Sequence, residues 1–408
     1  MFIFGGDSID VPPGCISILC AFSECYRNYW LTYEKATYFP ITFHNYRKLI
    51  PTFSILSITV VYALFDISVM FIFCGDHIDL PPGCTNMLCA FTPCTPSSRT
   101  TFLFAYSNDF EYKVVNDVMS QMMFNLNNTD WKYVRYANVR FDTQQMESIN
   151  FHQNLLALNE SVYSRMPDTN KKMTSDDDGS NILDVLENYL NNQQAPLCGS
   201  IVSVIMKRNS AKNDTSRLLR MLQDSHVMLR IVGSDATLGV LDTSVMYNLA
   251  VNTNGLYIFS NDRNDNVFQG SYAWSILTPT DGYLLYKANP VVSANGTLTL
   301  DPLFIPADPD SFVTYISVDL NVQNHGLTDV SRIELIIGSG GFSIDMWCNY
   351  LVLRDQTYLF GASSMLTGQT NNVTLKYDYR SNDLQYLEIR IWTQKAPSTW
   401  LDYPDYPN

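Results

Sequence analysis

The chain has 408 residues, a length typical of two or three domains, and 46% of them are apolar, which excludes wholesale disorder. Its 40 acidic residues against 26 basic ones leave a net charge of −14, so the chain lacks the basic surface that nucleic-acid binding needs. Its nine cysteines are an odd number, so they cannot all pair within one chain.

The chain begins with a cysteine block that is duplicated. Residues 1–25 and 70–94 are identical at 17 of 25 aligned positions, and each copy has three equally spaced cysteines. This spacing is wider than the C-x₂-C pairs of zinc sites, so it favours a disulfide-linked loop in an oxidising compartment. Three cysteines cannot all pair within one copy. The disulfide candidates are Cys84, Cys89, Cys94, Cys198 and Cys348.

An apolar run at residues 53–73, broken only by Asp66, is long enough to span a bilayer as a helix. Basic residues precede it and acidic residues follow it, which predicts that the larger C-terminal part lies outside the cytosol. Three interpretations of residues 1–69 stay open: a membrane anchor, a signal peptide with extra upstream residues, or a gene-model artefact. Each makes the chain after residue 75 extracellular, either secreted or membrane-anchored. The remaining alternative is a cytosolic protein that buries this run.

Residues 70–99 are a cysteine-rich segment and linker, and residues 100–278 then alternate between strand and helix patterns. Short apolar runs typical of buried strands cover 100–107, 133–141, 201–206, 227–233 and 256–260. Helical patterns follow Asp109 and cover 151–163, 181–190, the segment SRLLRMLQ and 243–252. The alternation predicts an α/β domain, a doubly wound parallel sheet with helices on both faces.

The order of these elements, and the ending DTSVMYNLAVNTNGLYIFS, resembles a degenerate von Willebrand factor A-like (vWA-like) domain. Families of secreted worm proteins pair such a domain with a β-rich one. The resemblance implies a ligand surface at the carboxyl ends of the strands, and no known activity. The family's D-x-S-x-S metal motif aligns with residues 105–109, where Ala105 replaces the leading acid. Basic Lys207 and Arg208 stand where the family has another acid.

The loss of these two acids predicts that the domain binds no divalent metal, because such cations need carboxylate oxygens. Four polar residues remain as candidate ligand-binding positions: Ser107, Asn108, Asp109 and Ser180. The alternative is that they are ordinary turn and cap residues, since serine, asparagine and aspartate favour such positions anyway.

Residues 279–408 alternate with a period of two and predict about seven or eight strands in an antiparallel β-sandwich. Turns are predicted at Asn295-Gly296, Gly338 to Gly341 and Asn371-Asn372. Alternation places Trp392 on the outward face of its strand. Cys348 is either a core thiol or a disulfide partner of Cys198.

No catalytic motif stands out: the five histidines are scattered, and the chain has no H-E-x-x-H pattern, nucleophile elbow or P-loop. We therefore expect a protein that is not an enzyme, uses no cofactor and binds a protein or glycan partner outside the cell. The alternative is a carbohydrate- or small-ligand-binding protein that acts through residues 279–408, with Trp392 as a platform. Possible glycosylation sequons occur at Asn127, Asn159, Asn213, Asn295 and Asn372.

Overall fold

The computed structural model of the chain describes most of the residues after Pro93. The described residues are 57–61, 70–74, 94–127, 129, 131–240, 242–260, 277, 282–325, 330–339, 342–349, 353 and 356–404. Most of the duplicated cysteine block, including Cys84 and Cys89, lies outside them. The chain divides into two units, Met1–Pro93 and Cys94–Asn408.

In the first unit, the described residues belong to the apolar run that was expected to form a helix. Strand β1 (Ser57–Val61) pairs antiparallel with strand β2 (Met70–Cys74), so that Ser57 lies opposite Cys74. The helix prediction is therefore wrong for the described residues of 53–73. None of the helices in the described part of the chain has the length and apolar character needed to cross a bilayer.

The second unit begins with alternating strands and helices, as predicted. The strands are β3 (Thr100–Ser107), β4 (Tyr133–Phe141), β5 (Asn150–His152), β6 (Ile201–Asn209), β7 (Met228–Gly239) and β8 (Leu256–Ser260). The helices are α1 (Tyr112–Leu126), α2 (Leu155–Tyr163), α3 (Ile182–Leu190), α4 (Ser216–Asp224) and α5 (Ser244–Asn252), with a 3₁₀ turn at Thr169–Lys171.

These strands form one six-stranded sheet in the order β5-β4-β3-β6-β7-β8. All neighbours are parallel except β5, which pairs antiparallel with β4. The expectation of a purely parallel sheet is therefore wrong at this edge, and the predicted helix over 151–163 begins only at Leu155. Because the chain moves from β3 to one side and later to the other, the strand order reverses between β3 and β6. Such reversals open a crevice at the carboxyl ends of the strands.

Helices cover both faces of the sheet because its strands are apolar on both sides. On one face, Leu103 and Val204 pack with the apolar sides of α3, α4 and α5. On the other, Phe102 and Phe104 pack with α1 and α2. The α/β class and the two-faced helix cover are thus as the sequence predicted.

Residues after Gly282 are β-rich, as predicted. The strands are β9 (Tyr283–Ala288), β10 (Val291–Val292), β11 (Asn295–Ile305), β12 (Val313–Asn321), β13 (Val330–Ser339), β14 (Phe342–Asn349), β15 (Tyr358–Leu366), β16 (Gln369–Tyr379), β17 (Gln385–Tyr386) and β18 (Glu388–Thr393). The turn predictions at Asn295-Gly296 and Asn371-Asn372 are wrong, because these residues lie in β11 and β16, which pair with each other. Gly340-Gly341 lies outside the described residues, between β13 and β14.

The longer strands form two four-stranded antiparallel sheets, β11-β16-β13-β14 and β15-β12-β18-β9. Both sheets contribute to one apolar core, with Ile316, Val318 and Leu320 from β12. These three residues alternate along the strand, as the period of two predicted. The residues between them, Asp319 among them, face away from this core.

The outward face of β12 and β18 is covered by the α/β sheet, so Trp392 is only 1% exposed. The expectation that Trp392 forms an exposed platform is therefore wrong. Its indole Nε1 donates to Asp319 Oδ2 at 2.6 Å, and the same oxygen accepts from Arg230 Nη2 of β7 at 2.7 Å. Tyr358 Oη donates to the other carboxylate oxygen of Asp319 at 2.5 Å. One buried carboxylate thus joins the two sheets.

A second polar contact joins the same surfaces beside β8. Arg390 Nε donates to the carbonyl oxygens of Asn254 and Gly255 at 3.0 and 2.9 Å. The N–H of Tyr257 donates to Glu388 Oε2 at 3.1 Å. The backbone of β8 is therefore held by side chains of β18.

A disulfide links Cys94 to Cys198, while Cys348 is a buried free thiol in the β-rich core. Of the two alternatives for Cys348, the core thiol is confirmed and pairing with Cys198 is wrong. Trp400 Nε1 donates to the carbonyl oxygen of Cys94 at 3.2 Å. Its ring lies against Gly199, where a φ of +67° and the absence of a Cβ allow the close approach.

We expect the double variant Cys94→Ser/Cys198→Ser to lose about 4–5 kcal/mol of unfolding free energy. The disulfide closes a loop of 104 residues in the unfolded chain, and opening it restores that entropy. Denaturant unfolding under non-reducing conditions measures the change. Cys348→Ala is the matched control, since it removes a sulfur without opening a loop. An unchanged midpoint in the double variant would contradict the prediction.

Candidate functional site

The four predicted ligand-binding residues lie at the carboxyl edge of the sheet, beside the β3–β6 reversal. Ser107 ends β3, Asn108 and Asp109 follow it, and Ser180 precedes α3. Ser107, Asn108 and Ser180 are 0%, 4% and 6% exposed. Ser107 and Ser180 both bond to Asp142, so they belong to one buried cluster.

Asp142 is the centre of this cluster, although it was not among the residues predicted from the sequence. It follows β4 with a φ of 58°, in the left-handed region that costs energy for a residue with a side chain. Ser107 Oγ donates to Asp142 Oδ2 and Ser180 Oγ donates to Oδ1, both at 2.6 Å. The Asp142 N–H donates to Asn181 Oδ1 at 2.9 Å. These bonds hold the strained backbone in place.

Asn108 ties the cluster to the loop before the 3₁₀ turn. Its Nδ2 donates to the carbonyl oxygen of Asp168 at 3.0 Å, and its Oδ1 accepts from the Asp168 N–H at 2.8 Å. The Asn108 side chain therefore holds this loop in place. This agrees with the alternative that Asn108 is a turn residue and not a ligand-binding one.

Arg208 of β6 fills the centre of the edge with its guanidinium group. Nε donates to Asp109 Oδ2 at 2.8 Å and Nη2 donates to Oδ1 at 3.3 Å, and both side chains are fully buried. Nη1 donates to the carbonyl oxygens of Ser175, Asp176 and Asp178 at 2.9, 3.0 and 2.6 Å. The loop 175–178 thus binds through its backbone, while the Asp176 side chain is 72% exposed.

Burial decides the direction of the pKa shift at Asp142, and the ion pair with Asp109 decides it at Arg208. It raises the pKa of Asp142 to about 7, although the hydrogen bonds from Ser107 and Ser180 favour the charged form. Burial alone would lower the pKa of Arg208, but the hydrogen bond and charge of Asp109 raise it above its usual value. The guanidinium therefore stays charged at every physiological pH.

The arrangement does not fit a divalent cation. Each Asp142 oxygen accepts a serine hydroxyl, and both Asp109 oxygens accept from Arg208. Within the described ranges, no three histidine, cysteine, aspartate or glutamate side chains are grouped so that they could hold a metal. A fixed organic cation, the Arg208 guanidinium, neutralises the carboxylate that such an ion would need.

Of the two missing residues, only Asp142 had a signal in the sequence. Asp142 is an acid directly after a predicted buried strand, at the sheet edge where ligands usually bind. Arg208 was noted only as a lost acid, and no local pattern identified the loop carbonyls as its acceptors.

The sequon residues lie on the surface, with one exception. Asn127, Asn213, Asn295 and Asn372 are exposed. Asn159 lies in α2 and is only partly exposed, and its Oδ1 is buried. The exposed sequons are thus the accessible ones for a glycan.

We expect the free energy of unfolding to fall as pH rises from about 4 to about 7. Folded Asp142 retains its proton up to its raised pKa of about 7, whereas the unfolded chain loses this proton near 3.8. At about 1.4 kcal/mol per pKa unit, this residue contributes at most about 4 kcal/mol. Denaturant unfolding across this range should show a shallower slope for Asp142→Asn and an unchanged slope for the exposed Asp177→Asn control. Equal slopes in all three proteins would refute this assignment.

Glu388 adds to the same trend, because its burial also raises its pKa to about 7. In the Asp142→Asn variant, the free energy of unfolding should therefore still fall as pH rises, but less steeply than in the unaltered protein.

Two family models match parts of the chain. One, described as "Serpentine type 7TM GPCR chemoreceptor Srbc", matches residues 1–38 and 35–102. The other, a domain of unknown function (DUF7154), matches residues 288–394, which cover most of the β-rich part. No curated protein sequence matches the chain.

Two solved structures are similar to parts of the chain. Proximal thread matrix protein 1 from the mussel byssus is 12% identical over 50% of this chain and 51% of its own, with a TM-score of 0.31. The chain thus spans about half the length of that protein. A carbohydrate binding module from Cellvibrio mixtus lichenase 5A, in complex with cellotriose, is 14% identical over 28% of this chain and 91% of its own, with a TM-score of 0.15. At these TM-scores, neither similarity assigns a fold or a function to this chain.

Proposed function

We propose that this chain is an extracellular, non-enzymatic interaction or adhesion-type protein with a vWA-like sheet that works without a metal ion. The observation that carries the proposal is the buried Arg208–Asp109 pair at the carboxyl edge of the sheet. In this pair the Arg208 guanidinium neutralises Asp109, at the edge where the vWA-like family holds a metal ion.

The topology supports the vWA-like part of the proposal. The first strand of the sheet is central, one edge strand is antiparallel, and the strand order reverses beside Ser107. The loops after β3, β4 and β6 therefore converge at one edge, which is where doubly wound sheets bind ligands. The charge of Arg208 is used internally, so recognition would rest on the loop surface around it.

The disulfide supports an extracellular location. Cys94 and Cys198 are linked, and such bonds persist in oxidising compartments but are rare in the cytosol. The exposed sequons are compatible with the same compartment.

The test is to express the full chain in animal cells and follow three properties. We expect the chain in the medium or on the cell surface, a mobility shift after glycosidase treatment, and a Cys94–Cys198 disulfide by mass spectrometry. Surfaces coated with the chain should retain cells better than albumin-coated surfaces, to the same extent with and without a metal chelator. A cytosolic chain with reduced Cys94 and Cys198, or retention abolished by the chelator, would refute the proposal.

The alternative, a carbohydrate-binding β-rich part, needs a platform other than Trp392. Phe312 is 91% exposed and Phe304 is 56% exposed. Both segments are bonded to the turn at Thr367 and Gly368. The Thr367 N–H donates to the carbonyl oxygen of Phe312, and the Gly368 N–H donates to the carbonyl oxygen of Ile305, which follows Phe304. Exposed aromatic rings on segments that meet at one turn are typical of surfaces that bind a partner.

A glycan array probed with the full chain tests this alternative. We expect a positive glycan to be lost in Phe312→Ala and retained in Leu384→Ala, which removes a different exposed apolar side chain (59% exposed). A blank array, or binding that survives Phe312→Ala, would exclude this platform.

A further inference from the structure

A cavity of about 50 Å³ lies at the opposite, amino edge of the α/β sheet. The segments before β4, β6, β7 and β8 meet there with β9, β18 and the chain near its C-terminus. Its walls combine aliphatic residues and prolines with five aromatic rings, those of His226, Tyr283, Trp392, Trp400 and Tyr403. His226 stacks on Trp400 with ring centroids 4.3 Å apart, and its Nδ1 is 2.9 Å from Tyr403 Oη.

Lys132 is the one lysine among the residues that line this cavity. It is only 7% exposed, and its Nζ donates to the carbonyl oxygen of Gly282. The Nζ also lies 5.0 Å from the ring centre of Tyr283 and 5.8 Å from that of Tyr133. No ion pair joins Lys132 to a carboxylate in the described part of the chain, so a buried ammonium group lacks an anion there.

A second buried cation, Arg230, acts on Lys132 through its positive charge. Arg230 has Asp319 as its ion-pair partner. Asp319 is already shared by Arg230, Trp392 and Tyr358. In the described structure, Arg230 Nε and Nη1 are buried without an acceptor. Asp319 is thus committed to Arg230, which leaves the Lys132 ammonium as the charge that a bound anion could neutralise.

Burial, and then the positive charge of Arg230, lower the pKa of Lys132 to about 7. The other titratable groups that face it are the phenols of Tyr133 and Tyr283, which are neutral at this pH. An anion in the cavity would favour the ammonium form of Lys132 and raise its pKa.

We propose that this cavity is a binding site for a small monocarboxylate of acetate to propionate size, with Lys132 as its cationic partner. A water molecule needs at least about 10–15 Å³ of such space, so the cavity accommodates roughly three to five non-hydrogen atoms. The carboxylate faces the ammonium group, and the methyl or ethyl group contacts the apolar walls. The combination of one buried cation and apolar walls distinguishes this class from a bare inorganic anion.

The test uses the full chain and measures its melting temperature and tryptophan fluorescence in sodium acetate and sodium propionate. Sodium chloride at equal ionic strength is the reference. We expect a saturable rise in melting temperature with both carboxylates, because binding to the folded state stabilises it. Trp392 and Trp400 line the cavity, so the fluorescence should change over the same concentration range. A response to chloride that equals the response to acetate would overturn the proposal.

Lys132→Met keeps the length of the side chain and removes its charge, so we expect at least about tenfold weaker carboxylate binding. The control Lys376→Met removes an exposed lysine of β16 and should bind like the unaltered protein. Unchanged binding in Lys132→Met would overturn the proposal.

A measurement on the unaltered protein covers the case in which Lys132→Met does not fold. With ¹³C at the lysine Cε positions, one resonance should titrate near pH 7 and shift to a higher pKa in acetate. If no lysine resonance responds to acetate, the proposal is wrong.

Discussion

Replacing Arg208 with methionine is expected to lower the free energy of unfolding by about 3–5 kcal/mol. The substitution leaves the Asp109 carboxylate buried without its cation and removes the donor to three carbonyl oxygens of the loop 175–178. A buried charge that loses its partner costs more than the pair itself contributes. Denaturant unfolding measures the change.

The controls separate the buried pair from a general effect of charge. Arg217→Met removes an arginine that is 78% exposed and should change stability by no more than about 1 kcal/mol. The double variant Arg208→Met/Asp109→Leu should recover part of the loss, because no charge is then left unpaired. A double variant as unstable as the sum of the two single variants would contradict this explanation.

Asp319→Ala is expected to have an effect of the same size, about 3–5 kcal/mol, at the contact between the two sheets. Three donors lose their shared acceptor at once: Arg230, Trp392 and Tyr358. Arg230 would also lose its only ion-pair partner among the described residues. Chemical unfolding followed by tryptophan fluorescence reports the change, since Trp392 lies in this contact.

Asp184→Ala is the matched control, because its partner Lys212 is exposed and the pair lies on the surface. It should cost at most about 1 kcal/mol. Asp319→Asn keeps the shape and one acceptor but not the charge, so its loss should fall between those of the control and Asp319→Ala. If Asp319→Asn proves as stable as the unaltered protein, the charge of Asp319 does not hold the sheets together.

The sequence predicted the strands of the α/β part well where burial is complete on both faces. The bounds of β3, β4 and β8 agree with the predicted ranges, because each strand is rich in aromatic and aliphatic residues. Strand β5 was missed because three residues are too few to show a period. Strand β5 forms because it pairs with β4. This pairing depends on the fold, and the local sequence does not show it.

Alternation predicted which face of a strand a residue occupies but not what covers that face. Trp392 does face away from the β-rich core, as its period of two indicated. It is nevertheless buried, because the α/β sheet covers that side. For the same reason Asp319 and Asn321 are buried, although polar residues on an outward face usually indicate solvent.

The sequence predicted where the candidate site lies, but it did not predict the two residues on which the contacts of the site depend. Ser107, Asp109 and Ser180 do meet at one edge, since parallel strands bring their carboxyl ends together. Their contacts depend on Asp142 and Arg208, which approach from strands on either side of β3. Such pairings join residues about 35 to 99 positions apart, and no single-sequence pattern encodes them.

The contact through Asp319 also has a consequence for the order of events during synthesis. Arg230 of β7 leaves the ribosome 89 residues before Asp319, its partner. Trp392, which covers its guanidinium with the ring centre 4.5 Å away, is made later still. At translation rates of about 5–20 residues per second, the α/β part waits roughly 4–18 s before the partner of this arginine is made. The nascent sheet therefore reaches its final state only when nearly all of the chain has been made.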